Sequence, residues 1–74
     1  MSLPTLYHTD GCHLCEQAMA LLAQCQVEYK LIDIVFNEES VALFGTRIPV
    51  LENIKGQYLD WPFDYEQIKQ FLSY

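Results

Sequence analysis

The sequence predicts an α/β fold, a four-stranded mixed sheet covered by helices in the order β-α-β-α-β-β-α. Three observations predict it. From Leu3 to Ile34 a strand pattern, a helical pattern and a second strand pattern follow one another, as in a parallel pair with a right-handed crossover. Lys55-Gly56-Gln57 stands between two short strand-like runs as the tight turn of an antiparallel hairpin. The chain has 74 residues, 51% of them apolar, which suits one domain over residues 1–74 with one modest core.

Each element has its own signal. Leu3 to Tyr7 reads as a short apolar strand, with Pro4 tolerable near its start. His8-Thr9-Asp10-Gly11 is a turn cluster. From Cys12 to about Gln26, Cys15, Ala18, Met19, Leu22 and Cys25 recur at helical spacing as one apolar stripe. Ala and Leu support this helix by propensity. Val27 to Ile34 alternates apolar and charged at first and then turns continuously apolar, as a strand covered on both faces would. Asn37 suits the cap of a short helix through Phe44, and Gly45 the left-handed residue that ends it. Ile48-Pro49-Val50-Leu51 leads into a strand whose return begins at Tyr58-Leu59. Asp64 with Gln67 has the form of a capping box. Tyr65, Ile68, Phe71 and Leu72 give the last helix a face to bury.

Charge removes two classes of function. Four Lys+Arg against ten Asp+Glu leave a formal charge of −6, so neither a nucleic-acid backbone nor an anionic membrane surface has an electrostatic footprint to meet. No apolar stretch approaches the roughly 20 residues of a spanning helix. Met1-Ser2-Leu3-Pro4 shows no basic or apolar leader, so the expected location is the cytoplasm, where disulfides are more often catalytic than structural. Three cysteines, at 12, 15 and 25, leave one unpaired.

Cys12-His13-Leu14-Cys15 falls where the first strand gives way to the first helix. Residues three apart share a helix face, about 5 Å apart and inside the roughly 4.4–6.8 Å window for a disulfide. Free N–H groups and the positive end of the helix dipole favour a thiolate at Cys12. Cys15, a turn further in and on the apolar stripe, is expected to be less ionised and less exposed. Cys12 is then the nucleophile and Cys15 the thiol that resolves the mixed disulfide. The other reading is a non-enzymatic module, holding an iron–sulfur cluster or metal ion or docking a partner. A zinc site normally takes four ligands, so His8 or His13 and a further group would have to join the cysteines.

Leu6-Tyr7-His8-Thr9-Asp10-Gly11-Cys12-His13-Leu14-Cys15 resembles the active-site segment of the glutaredoxin branch of the thioredoxin-like superfamily, and Arg47-Ile48-Pro49-Val50 resembles its Val-Pro segment. The resemblance extends over essentially the whole chain. It implies a minimal thioredoxin-like (glutaredoxin-like) fold, with Cys12 and Cys15 catalytic. It also implies a cis Ile48–Pro49 bond facing the cysteines and an Ile48 backbone that pairs with an extended substrate. The activity implied is thiol–disulfide exchange on a disulfide-containing protein or a small mixed disulfide, with no tightly bound cofactor. The chain departs from that family in two places. Thr9 stands where a Lys or Arg is common, and Asp60-Trp61-Pro62-Phe63-Asp64 replaces the Gly-Gly segment that helps hold glutathione. Glutathione is therefore one candidate reductant among thiols. A monomer is expected, with no resident metal.

Three residues around the motifs are candidates for substrate contact beside Ile48 and Pro49. His13 lies between the cysteines, where a hydrogen bond to the thiolate would shift the potential, about 30 mV for about 1.4 kcal/mol. Arg47 is the one cation beside a motif and either offsets Asp10 near the thiolate or is solvated. Trp61, the sole tryptophan, either flanks the redox groove or anchors the last helix. Cys25 is read as a buried, inert thiol, and Tyr7 and Tyr58 as residues of the sheet interior.

Overall fold

The structure is a computed structural model and describes residues 3–73. Its elements are β1 (Thr5–His8), α1 (His13–Gln24), β2 (Lys30–Asp33), a 3₁₀ turn (Ile34–Phe36), α2 (Glu38–Phe44), β3 (Val50–Glu52), β4 (Tyr58–Asp60) and α3 (Tyr65–Phe71). The sheet runs β2-β1-β3-β4. β1 and β2 are parallel, with His8 level with Asp33. β3 is antiparallel to both neighbours, so that Tyr7, Val50 and Asp60 lie in one row across the sheet. The fold is the mixed α/β architecture expected.

Strand alternation sends the side chains to two faces. Leu6 and Leu51 point to one, where Ala18 and Leu22 of α1, Phe63 and Ile68 of α3 close over them. Tyr7 and Val50 point to the other, where Ile34, Phe44 of α2 and Ile48 meet them. Phe44 stacks on Tyr7 at 4.4 Å and tilts against Tyr58 at 5.5 Å.

The caps explain where the helices begin. Asn37 Oδ1 accepts the Ser40 N–H at 3.1 Å, and Asp64 and Gln67 complete both halves of the capping box. At the far end of α1 the Gln26 N–H donates to Ala23 O and the Val27 N–H to Leu22 O, with Gln26 at φ 57°. Those two bonds make a Schellman stop in which a non-glycine residue takes the left-handed position.

Five sequence expectations are corrected. Val27 to Ile34 is not a strand covered on both faces. Only Lys30–Asp33 is extended, and Leu31 and Ile32 are exposed, because β2 is an edge strand and the helices cover the middle of the sheet. Gly45 is right-handed, at φ −53° and ψ −34°. Its missing side chain matters for space, since a Cβ there would stand 2.6 Å from Val41 O. Tyr58 is exposed because β4 is the other edge, and Tyr65 lies at the surface under Lys69. Cys25 is half-buried at the end of α1 rather than sealed in the core.

Candidate redox site

The turn after β1 delivers the cysteines. Gly11 takes φ +79°, a left-handed angle that costs glycine nothing, and the chain then enters α1 with Cys12 as its N-cap. Cys12 and Cys15 form a disulfide with Cα atoms 5.2 Å apart. The Cys15 N–H donates to Cys12 Sγ at 3.1 Å, so a sulfur satisfies one of the free donors at the helix start. Cys12 is partly exposed and Cys15 fully buried. Water and a partner molecule can therefore reach only one of the two sulfurs.

The sheet register gathers a second segment at the same end. β1 ends at His8 and β3 begins at Val50, opposite Tyr7, so the Ile48-Pro49 segment leading into β3 lies at the cysteine end of the sheet. The Ile48–Pro49 peptide is cis, Pro49 is fully buried and Ile48 half-buried. The Ile48 N–H is already donated to Phe44 O at 3.0 Å. An approaching strand would have the Ile48 carbonyl to bond, not the N–H donor. The Trp61–Pro62 peptide is also cis, and the Trp61 N–H reaches Pro49 O at 3.2 Å, tying the two proline segments together. The half-buried Trp61 ring meets Phe63 edge-on at 5.1 Å and packs against the main core, so it acts as an anchor.

Arg47 is brought to Asp60 and not to Asp10. Nε and Nη2 donate to the two carboxylate oxygens at 2.9 and 2.8 Å, and the guanidinium lies 5.3 Å from the Phe44 ring centre. This two-bonded pair holds the Asp60 carboxyl below its usual range and the Arg47 guanidinium above its own. His13 is exposed in the first turn of α1, and His8 closes β1. Among the described residues, no three His, Cys, Asp or Glu side chains gather where they could hold a metal ion.

Two polar groups of the sheet carry contacts that the sequence does not predict, Tyr7 and, in the turn at the far end, Asn53. Burial raises the Tyr7 hydroxyl well above its ordinary range, assisted by its 2.7 Å bond to Glu52. Buried Asn53 accepts the Lys55 and Gln57 N–H groups at 3.0 Å each and so shapes the hairpin. An Asn two residues before Lys-Gly is the signal that could have revealed it. Burial likewise raises the Cys25 thiol.

A four-stranded mixed sheet flanked by three helices, with a cysteine pair opening the first helix, defines a glutaredoxin-like module of the thioredoxin fold. The model of the Glutaredoxin-like domain (DUF836) matches residues 4–73, and the chain belongs to that family. It is similar to the structural genomics target protein XcR50 from X. campestris, whose X-ray structure is 38% identical over 93% of each chain with a TM-score of 0.87. In the solution structure of that target the match covers 96% of this chain and 92% of that one, at the same identity and TM-score. Protein Ne2328 from Nitrosomonas europaea is 30% identical over 99% of this chain and 95% of that one, with a TM-score of 0.75. No curated protein gives a significant match.

Proposed function

We propose that the protein is a cytoplasmic thiol–disulfide oxidoreductase, acting as a monomer on a disulfide-containing protein or a small mixed disulfide. One observation carries this reading: Cys12 is partly exposed and its sulfur caps α1, while Cys15 is fully buried. In the reduced protein the helix N-terminus favours a thiolate at Cys12. That thiolate attacks a substrate disulfide, forms the Cys12–substrate bond and expels the other substrate sulfur as a thiolate. Cys15 loses its proton and attacks the Cys12 sulfur, releasing the second substrate thiol. The substrate gains two electrons and the protein is left as the Cys12–Cys15 disulfide.

Two equivalents of a thiol such as glutathione reverse the change by the same chemistry, and no tightly bound cofactor takes part. The Ile48 carbonyl and exposed His13 are the groups we assign to substrate contact, with the fully buried Pro49 packed behind them. Trp61 and Arg47 shape the rim from behind, one as an anchor and the other through Asp60.

The test replaces the resolving thiol. Cys15→Ser, treated with a model protein disulfide, should accumulate a mixed disulfide through Cys12, and Cys12→Ser should accumulate none. Absence of any trapped species, with a Cys12 alkylation midpoint near the ordinary thiol value of about 8.5, overturns the proposal. Glutathione is tested separately, by whether it reduces the Cys12–Cys15 disulfide.

A further inference from the structure

The charges of this chain are unevenly divided between the two ends of its sheet. Lys30 opens β2 and Lys55 lies in the β3–β4 turn, both at the end away from the cysteines. Lys69 sits in the last turn of α3 and leans over Tyr65. The remaining cation, Arg47, is at the cysteine end, and both of its carboxylate-facing nitrogens are spent on Asp60. Around the same end stand Asp10 in the turn before Cys12, Glu16 in the first turn of α1, Asp33 level with His8, Glu38 opening α2, and Asp64 capping α3. Glu28 and Glu52 lie at the other end.

Like charge repels an approaching substrate and opposite charge draws it in, with effects on association of about 10- to 1000-fold at low salt. Resting on the oxidoreductase reading above, we propose that this site selects disulfides carried on cationic protein segments. Asp60 sets that preference by occupying Arg47. The reactive centre remains the cysteine pair, and the charge pattern decides which disulfide reaches it. An acidic thiol such as glutathione meets the unfavourable side of the same field.

The experiment uses two peptides of one sequence, each with a single cysteine capped by 2-mercaptoethanol, flanked by lysines in one and by glutamates in the other. The fully reduced protein is mixed with each peptide at one fixed pH, and thiol release is followed. At about 0.01 M salt the lysine peptide should react at least about tenfold faster, and at about 1 M salt the two rates should converge. Asp60→Asn, which removes one negative charge and frees Arg47, should shrink the low-salt ratio severalfold. Asp10→Asn should shrink it as well, while Glu28→Gln at the far end should leave it unchanged. Equal rates at low salt, or a ratio that neither Asp60→Asn nor Asp10→Asn alters, overturn the charge preference and leave the redox reading standing. Failure of both peptides to release thiol overturns the redox reading itself, and the preference with it.

Discussion

The two faces of the sheet are built on different terms. On one, α1 and α3 lay Ala18, Leu22 and Ile68 over Leu6 and Leu51, and none of these five is exposed at all. On the other, the seven-residue α2 and the 3₁₀ turn cover the strands through Phe44 and Ile34, and the Phe44 ring sits between Tyr7, Tyr58 and the Arg47 guanidinium. Val41 and Leu43 on α2 and Val35 and Phe36 just before it remain exposed, Phe36 by 86%. The first face supplies dry burial and hence stability. The second combines an aromatic stack with an ion pair, and the ion pair sits at the end of the sheet that carries the cysteines. Dry apolar packing and charged contact are thus assigned to opposite sides of the same strands.

The largest expected effect separates the faces directly. Leu22→Ala leaves a cavity between α1 and the sheet, and a buried Leu→Ala change costs about 2–5 kcal/mol. Stability is about 0.05–0.15 kcal/mol per residue for ordinary domains, so that loss removes much of the total in a chain of this size. Phe36→Ser on the other side touches an exposed ring, and its effect should stay within about 0.5 kcal/mol. Urea titration of both variants checks this, read as the midpoint at unchanged slope. Equal losses would mean that the Phe36 ring is packed and would break the contrast.

Next in size is Phe44→Leu. Bulk is nearly kept, but the contacts to Tyr7 and Tyr58 and the cation–π contact to Arg47 are lost. A cost of about 1–2 kcal/mol follows from aromatic pairs worth about 0.5–1.5 kcal/mol beyond their area. The same variant should loosen Arg47, visible as a shift of the Asp60 carboxyl towards its ordinary value by carbon-detected titration. An unmoved Asp60 would show that the two hydrogen bonds alone hold the pair.

The ion pair also gives a pH dependence of known sign. The folded state holds Asp60 below its ordinary value of 3.8. Its support is therefore present above that value and lost as the pH falls through the lowered one. Wild type should exceed Asp60→Asn in stability at neutral pH by a small, salt-sensitive margin, since both partners are well exposed. The gap should close on acidification below that lowered value. A gap that persists there would assign the effect to packing of the β4 end and not to charge.

The sequence reading follows the same division. The covered face was legible because its signals are periodic and local: Cys15, Ala18 and Leu22 on one helical stripe, and Asp64 with Gln67 as a capping box. The cysteine pair was legible for the same reason, as a spacing at a strand-to-helix junction. What stayed hidden depends on contacts between distant residues. Arg47 finds Asp60 thirteen positions away, and Tyr7 finds Glu52 forty-five positions away. Neither partner can be picked from ten acids by pattern. The apolar content of Leu31 and Ile32 suggested a strand covered on both faces, and only the strand order reveals an edge. Local propensity was overridden wherever the sheet ran out of helix to cover it.

The smallest effects lie at the helix ends, where each face carries the residue that propensity would assign to the other. α1 stops at Gln26 in the left-handed region, a position that suits glycine. α2 stops at Gly45 in the right-handed region, where glycine's angles are not needed but its lack of a Cβ is. Gln26→Gly relieves left-handed strain of about 1–2 kcal/mol and adds back about 0.5–1 kcal/mol of unfolded-chain entropy. A net gain of about 0.5–1 kcal/mol is expected. Gly45→Ala should destabilise instead, because the new methyl would meet the Val41 carbonyl, which is backbone and cannot rotate aside. Thermal unfolding of the two variants settles the pair. If Gly45→Ala were neutral, α2 would be free to shift on its face of the sheet, whereas α1, fixed by Leu22 and Ala18, would not.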